Sequence, residues 1–103
     1  MSFVSERNIP ATHPALEGHF PDNPVVPGVI LLEEVLTALK EWIPDSHVYG
    51  FQAVKFLQPV KPDSCFTVDL EQTNPGIIKF KCHAEQLLLN TGTIILHPVQ
   101  HPS

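Results

Sequence analysis

The chain has 103 residues, which suffice for one hydrophobic core but not for two, so we expect a single domain over residues 1–103. Its formal net charge of −5 and the lack of a basic tract argue against binding of nucleic acid. No apolar run approaches the roughly 20 residues of a membrane span, and residues 1–7 lack the hydrophobic stretch of a signal peptide, so we expect a cytoplasmic protein that does not enter a membrane.

The first half of the chain predicts one strand, over residues 2–9, and one helix, over residues 28–42. Pro27-Gly28 favours the helix start, and Pro44 follows its end. Apolar side chains cover a wide arc of the helix, as in a helix enclosed by a curved sheet. That arc consists of Leu31, Leu32, Val35, Ala38, Leu39, Trp42 and Ile43.

The chain after Pro44 is predicted as four strands. In the first, residues 48–58, the apolar alternation changes phase between Ala53 and Val54, which predicts a β-bulge. In the last, residues 87–89 and 93–96 are predicted as strand on either side of Asn90-Thr91-Gly92.

The two middle strands predict a hairpin around Asn74-Pro75-Gly76. Its register places Asp69 opposite Lys81 and Glu71 opposite Lys79. The same register pairs apolar residues on the other face of the sheet, so charge pairing and core pairing agree. The apolar pairs are Leu70 with Phe80 and Val68 with Cys82.

The cysteines and histidines point to neither a disulfide nor a metal site. Cys65 and Cys82 both fall in predicted strands, so we expect two reduced, packed cysteines. The six histidines show no His-x-His or Glu-x-x-His spacing, so no metal site is predicted.

Residues 18–33 combine a histidine, a proline-stiffened loop, a helix start and a carboxylate, which are the parts of an acid/base site. Prolines at 21, 24 and 27 restrict the loop that carries His19. An imidazole titrates near neutral pH and suits a general base, whereas a carboxyl group serves as a general acid where its surroundings favour the neutral form. Taken singly, His19 also fits a loop histidine that caps backbone groups, and the helical wheel does not separate Glu33 from Glu34.

Two segments resemble the signature of FabZ-type 3-hydroxyacyl-[acyl-carrier-protein] dehydratases: Gly18-His19-Phe20-Pro21, and Pro24 to Glu33 with its fourteen-residue step from His19. Residues 53–62 and 78–84 are similar to later strands of the same family. The resemblance implies an α+β hot-dog fold, in which an antiparallel sheet wraps a long central helix in the order β-α-β4. It also implies a homodimer or a higher even oligomer.

The resemblance implies dehydration of a (3R)-3-hydroxyacyl thioester to the trans-2-enoyl thioester. His19 would remove the proton from C2, and Glu33 of the other subunit would protonate the departing hydroxyl group. The Gly28 N–H would bind the thioester oxygen. The substrate-binding residues would be Gly28, Phe20, Pro27, Val29 and Thr37, with Val29, Ile30 and Leu36 as an apolar environment for Glu33. The substrate would be carried on the phosphopantetheine of an acyl carrier protein or on CoA, with no other cofactor.

The chain departs from the family pattern in several places, which indicates a divergent branch such as a secondary lipid or polyketide pathway. Thr37 replaces a common glutamine, Glu34 replaces a small residue, and Leu57-Gln58 replaces arginines that meet the carrier. We therefore expect carrier contacts at Lys55 and Lys61, because an acidic carrier needs a local basic patch on an acidic enzyme. Two alternatives stay open: a hot-dog thioesterase that does not need His19, and a non-catalytic acyl-binding subunit.

Overall fold

The computed structural model describes residues 1–10, 12 and 26–98, which form one sheet and one helix. The elements are β1 (Ser2–Asn8), α1 (Gly28–Trp42), β2 (Val48–Phe56), β3 (Cys65–Asn74), β4 (Ile77–Ala84) and β5 (Leu87–Leu96). The sheet is antiparallel and has the strand order β1-β3-β4-β5-β2, so β1 and β2 are its edges. The predicted order of strand, helix and four strands is confirmed.

The helix and the inner face of the sheet bury each other's apolar side chains. The alternation along β3 and β4 puts every second residue on this inner face, because successive side chains of a strand point to opposite faces. The helix contributes Ile30, Leu31, Val35, Ala38 and Leu39, and the strands contribute Phe66, Val68, Leu70, Ile78, Phe80, Cys82, Leu89 and Ile94. Full burial of such a side chain stabilises the fold by about 1.5–3 kcal/mol, so this interface holds the helix in place.

The hairpin of β3 and β4 has the predicted register. Asp69 pairs with Lys81, and Glu71 pairs with Lys79, on the outer face. The apolar pairs Leu70–Phe80 and Val68–Cys82 lie on the inner face. The two alternating patterns therefore select the pairing that the structure has.

The predicted bulge of β2 is also present. The register between β2 and β5 shifts between Gln52 and Lys55, and Ala53 has a φ of 54°. A residue with a side chain pays roughly 1–2 kcal/mol for this left-handed conformation. The extra residue puts both Val54 and Phe56 toward the inner face, where each approaches a glycine of another element.

Two sequence predictions are wrong. Strand β5 continues through Asn90-Thr91-Gly92, because all three residues pair with β4 and the first two also pair with β2. The turn before this strand lies at Glu85, whose φ is 55°. Cys65 is exposed rather than packed, because it begins β3 on the face opposite to Phe66. Both cysteines are free, and Cys82 is buried as expected.

No helix in the described part of the chain is both long and apolar enough to cross a membrane.

Candidate functional site

The start of α1 presents backbone donors without a cap. Pro27 precedes the helix with φ −58° and ψ 144° and offers no side-chain hydrogen bond. The N–H of Ile30 is bonded to the Pro27 carbonyl at 3.0 Å. The N–H groups of Gly28 and Val29 make no hydrogen bond to any described residue. Because the first N–H groups of a helix carry partial positive charge, this end can bind an oxygen that gains negative charge.

Gly28 lies directly against the ring of Phe56, the last residue of β2. A Cβ atom on Gly28 would lie 2.7 Å from Cζ and 2.9 Å from Cε1 of that ring. Real Cβ atoms do not approach other atoms so closely, so only glycine fits here while the ring keeps this position. The helix start is therefore shaped by a residue of the sheet.

A cavity of about 330 Å³ adjoins this helix start. One wall is formed by the start of α1 and the other by the segment that leaves β2. Its lining residues are Val26, Gly28, Leu31, Phe56, Leu57, Gln58, Pro59 and Val60. Three backbone hydrogen bonds hold the walls: Val26 N–H to the Val60 carbonyl at 2.7 Å, and Leu57 and Gln58 N–H to the Leu89 carbonyl at 2.8 and 3.2 Å.

A larger open cleft of about 1210 Å³ lies at the other end of the helix, beside Ile43 and Ser46. None of the predicted catalytic or substrate-binding residues that the structure describes lines it. Size alone does not identify a site, so the cavity at the helix start is the better candidate.

Glu33 shares a solvent-facing stripe of α1 with Val29 and Thr37, four residues before and after it. Val29 is 61% exposed, and Glu33 and Thr37 are exposed as well. The Thr37 hydroxyl donates a hydrogen bond of 2.9 Å to the Glu33 main-chain carbonyl, so its proton is engaged within the helix. Within residues 26–98 and the N-terminal strand, no hydrogen bond or ion pair reaches the Glu33 carboxylate.

The apolar surroundings predicted for Glu33 are incomplete in the single chain. Ile30, about 60° around the helix from Glu33, is buried in the core, and Leu36 is half-buried. An exposed carboxylate is normally ionised near neutral pH, and a general acid needs a less polar environment. Further apolar groups would have to surround Glu33 to give it the environment of a general acid.

Glu34 has a different role in the structure. Its Oε1 accepts a hydrogen bond of 2.9 Å from Nε of Arg7, and Glu41 Oε2 accepts one of 3.0 Å from another nitrogen of the same guanidinium. Ser5 Oγ donates to Glu41 at 3.1 Å. Burial alone lowers the pKa of Arg7, but the hydrogen bonds and charges of Glu34 and Glu41 outweigh it and raise that pKa. The cluster ties β1 to the helix.

Lys55 and Lys61 are both exposed and flank the segment that lines the cavity. Phe56 and Leu57 lie between these lysines and are 51% and 46% exposed, and neither was predicted as a site residue. The sequence shows two apolar residues between two cations, but it does not show that they are exposed. His19 and Phe20 lie outside the described residues.

Within the described ranges, no group of three or more His, Cys, Asp or Glu residues is arranged to hold a metal ion.

Comparison with known proteins identifies relatives. The chain matches the ApeI-like family, described as ApeI dehydratase, over residues 1–93. The 3-hydroxyacyl-[acyl-carrier-protein] dehydratase FabZ of Variovorax paradoxus is 36% identical over 91 residues, covering 76% of this chain and 61% of that one. The FabZ of Albidiferax ferrireducens is 35% identical over 96 residues, covering 81% and 64%. The chain thus spans less than two thirds of the length of these curated relatives.

Among solved structures, the dehydratase heterocomplex ApeI:P from Xenorhabdus doucetiae matches with a TM-score of 0.80 at 22% identity. The match covers 92% of this chain and 86% of that one, and at this identity it shows a shared fold. The wrapped helix and the antiparallel sheet are therefore the predicted hot-dog fold. Together with the family match over residues 1–93, this places the chain in the ApeI-like dehydratase family.

Proposed function

We propose that the protein is a 3-hydroxyacyl-[acyl-carrier-protein] dehydratase, which eliminates water from a (3R)-3-hydroxyacyl thioester to give the trans-2-enoyl thioester. The observation that carries the proposal is the helix start at Gly28, which no described side chain caps, together with a Glu33 carboxylate on the same helix that has no partner among the described residues. Membership of the ApeI-like family and the dehydratase names of its relatives support it.

The proposed reaction uses two proton transfers and one oxyanion contact. His19 accepts the C2 proton, the electrons of that C–H bond form the C2–C3 double bond, and the C3–O bond breaks as Glu33 donates its proton to the departing hydroxyl. One water leaves, and the proton then on His19 returns to Glu33 to close the cycle. Negative charge that develops on the thioester oxygen is bound by the Gly28 N–H at the positive end of α1. The role of His19 as general base is inferred from the motif of residues 18–33.

The remaining predicted residues would shape the substrate site. Pro27 and Val29 flank Gly28, and Phe20 would come from the same loop as His19. Thr37 lies one turn beyond Glu33, and with its hydroxyl proton engaged by the Glu33 carbonyl it would contact substrate through its oxygen or its methyl group. We propose that this direct contact between Thr37 and the substrate explains why threonine, which is shorter than glutamine, can stand at this position.

A homodimer, or a higher even oligomer, would complete the site. Glu33 faces solvent in the single chain, and Val29 beside it is an exposed apolar residue. The edge strand β2 also exposes Tyr49, at 73%, and Phe56. Edge strands with exposed apolar side chains are pairing surfaces. We propose that a second subunit covers this region and supplies the His19 that acts with Glu33.

The substrate would arrive on the phosphopantetheine of an acyl carrier protein or on CoA, with no other cofactor. Lys55 and Lys61 would bind the acidic carrier, since they flank the wall of the cavity beside Gly28. Phe56 and Leu57 would add apolar contact area between them. The reaction would take place in the cytoplasm, where enzyme and carrier meet.

Turnover of 3-hydroxyacyl thioesters of several chain lengths tests the proposal, with enoyl formation and free thiol release measured in parallel. A dehydratase produces enoyl thioester and loses it in the His19→Ala variant. A thioesterase on this fold releases thiol and retains activity in that variant, since a carboxylate can activate water without His19. A protein that binds these thioesters and converts none of them is a non-catalytic acyl-binding subunit.

A further inference from the structure

Asn90 carries a fully buried amide without a hydrogen-bond partner. The residue is 0% exposed, and neither Oδ1 nor Nδ2 bonds to any described residue. A primary amide offers two donors and an acceptor, and leaving these groups unpaired in the interior is one of the costlier defects of a fold. Native proteins retain few such groups, and a function often explains them.

The amide lies on the inner face of the sheet, behind the ring of Phe56. Asn90 pairs with Phe56 on β2 and with Cys82 on β4. Directly opposed residues of neighbouring strands point to the same face, about 4.8 Å apart in the sheet. Phe56 in turn contacts Gly28 and lines the cavity at the helix start. Phe56 therefore lines the cavity and is also the neighbour of Asn90 across the sheet.

Phe56 is suited to move, because half of it is already exposed and its neighbour Leu57 is exposed as well. Turning the ring outward would extend the cavity inward to Asn90 without displacing a fully buried side chain. The first polar group that an entering ligand would then meet on the sheet is the Asn90 amide.

We propose that Asn90 binds the amide of the phosphopantetheine arm when the Phe56 ring turns aside. This inference rests on the proposed function, in which the substrate is a thioester on that arm. In the phosphopantetheine arm, two methylene groups separate the sulfur from the nearest amide. This amide would therefore lie close to the helix start when the thioester oxygen is bound at Gly28. A secondary amide has one N–H and one C=O, which match the C=O and N–H of Asn90. A simple 3-hydroxyacyl chain has no such pair.

Two small substrates isolate this contact. The N-acetylcysteamine thioester of a 3-hydroxy acid keeps the amide, and the S-pentyl thioester of the same acid replaces it with methylene groups. Leucine is similar in size to asparagine, and Asn90→Leu should lower kcat/KM for the N-acetylcysteamine thioester by about 10-fold, which corresponds to the loss of a buried hydrogen bond. It should leave kcat/KM for the S-pentyl thioester unchanged. Thr91→Val, on the outer face of the same strand, is the matched control and should affect neither substrate.

Thermal unfolding supplies a readout apart from turnover. If the amide is unpaired in the free protein, Asn90→Leu should raise Tm or leave it unchanged. A lower Tm together with equal losses on both thioesters would overturn the proposal, because it would make Asn90 structural. Unchanged turnover of both thioesters would also overturn it.

Calorimetric binding of pantetheine separates this inference from the proposed function. Wild type should bind pantetheine about 10-fold more tightly than Asn90→Leu, whether or not it dehydrates a thioester. Absence of turnover by the wild-type protein would contradict the dehydratase proposal alone, whereas equal binding of pantetheine by both proteins would contradict the role of Asn90.

Discussion

Arg7 on β1 donates a hydrogen bond of 2.9 Å from Nε to Oε1 of Glu34 on α1, and this bond distinguishes two carboxylates that are adjacent in the sequence. Glu34 belongs to an ion pair that holds the edge strand against the helix. Glu33, about 100° further around the helix, has no such partner among the described residues. The role of Glu33 in proton transfer stays a prediction.

Glu33→Gln should lower kcat by about 10²- to 10⁴-fold, because glutamine keeps the size of the side chain but cannot deliver a proton. The loss should fall mainly on kcat rather than on KM, since the proton is transferred in the transition state. Steady-state kinetics on a 3-hydroxyacyl thioester measures both parameters.

Glu34→Gln is the control. It should keep kcat within about twofold and lower the free energy of unfolding by about 1 kcal/mol or less, since a partly exposed ion pair contributes little. Denaturant titration measures the second effect. If Glu34→Gln lost as much activity as Glu33→Gln, the assignment of the acid would be wrong.

Mixing two inactive variants tests whether the site is shared between subunits. When His19→Ala and Glu33→Gln chains exchange at random, half of the dimers are mixed, and each mixed dimer has one intact site of two. About a quarter of wild-type activity should therefore return. Mass spectrometry can show that the subunits have exchanged. If no activity returns after such exchange, both residues act within one chain.

Gly28→Ala should destabilise the protein by roughly 0.5–1.5 kcal/mol, because the new methyl group would meet the Phe56 ring at 2.7 Å and push this half-exposed side chain out of its position. In a Phe56→Ala background the same change should cost much less, since the ring is gone and alanine restricts the unfolded chain more than glycine does. Urea unfolding of the four proteins gives the coupling between the two sites. Equal costs in both backgrounds would show that the ring does not set the requirement for glycine.

Reversing both charges in Lys55→Glu/Lys61→Glu should weaken turnover of a carrier-linked substrate several-fold, with the largest effect at low salt. Turnover of a small thioester should be unaffected, because it does not need the protein carrier. Equal losses on both substrates would instead point to damage to the fold around residues 56–60.

The two cysteines should differ in reactivity and in their effect on stability. Cys65 is exposed and should react rapidly with a thiol reagent, whereas Cys82 is buried and should react only after unfolding. Burial raises the pKa of the Cys82 thiol from 9.0 to about 12. Because the folded state holds this proton more tightly than the unfolded state, the contribution to stability is complete below about pH 9 and is lost as pH rises toward about pH 12.

Cys82→Val removes this titration and should flatten the alkaline part of the stability curve, as measured by urea unfolding between about pH 8 and about pH 11. A variant with the same alkaline slope as wild type would assign the loss to other groups.

The hairpin of β3 and β4 shows what the sequence can predict. Its register follows from side chains that lie close together along the chain, where charge pairs and apolar pairs agree, as at Asp69–Lys81. The pairing of β1 with β3 and of β2 with β5 joins distant segments, and no local pattern encodes it. Asn90-Thr91-Gly92 interrupted the predicted strand, but pairing of all three residues with β4, and of Asn90 and Thr91 with β2, holds them extended.

The site was predicted less completely, since its main contacts cross the fold. The family resemblance predicted roles for Gly28 and Glu33, but nothing in the sequence pointed to the Phe56 ring on Gly28 or to the Arg7–Glu34 ion pair. The predictions for His19 and Phe20 remain predictions.

The bulge at Ala53 makes β2 tolerant of changes in composition and intolerant of changes in length. Beyond it, Phe56 faces the helix and Lys55 the solvent. Inserting or deleting one codon between the bulge and the end of the strand would exchange the two, taking the ring off Gly28 and turning an ammonium group inward in a single event. Point substitutions here would have graded effects, so we expect natural variants of this strand to differ in side chains but keep its residue count.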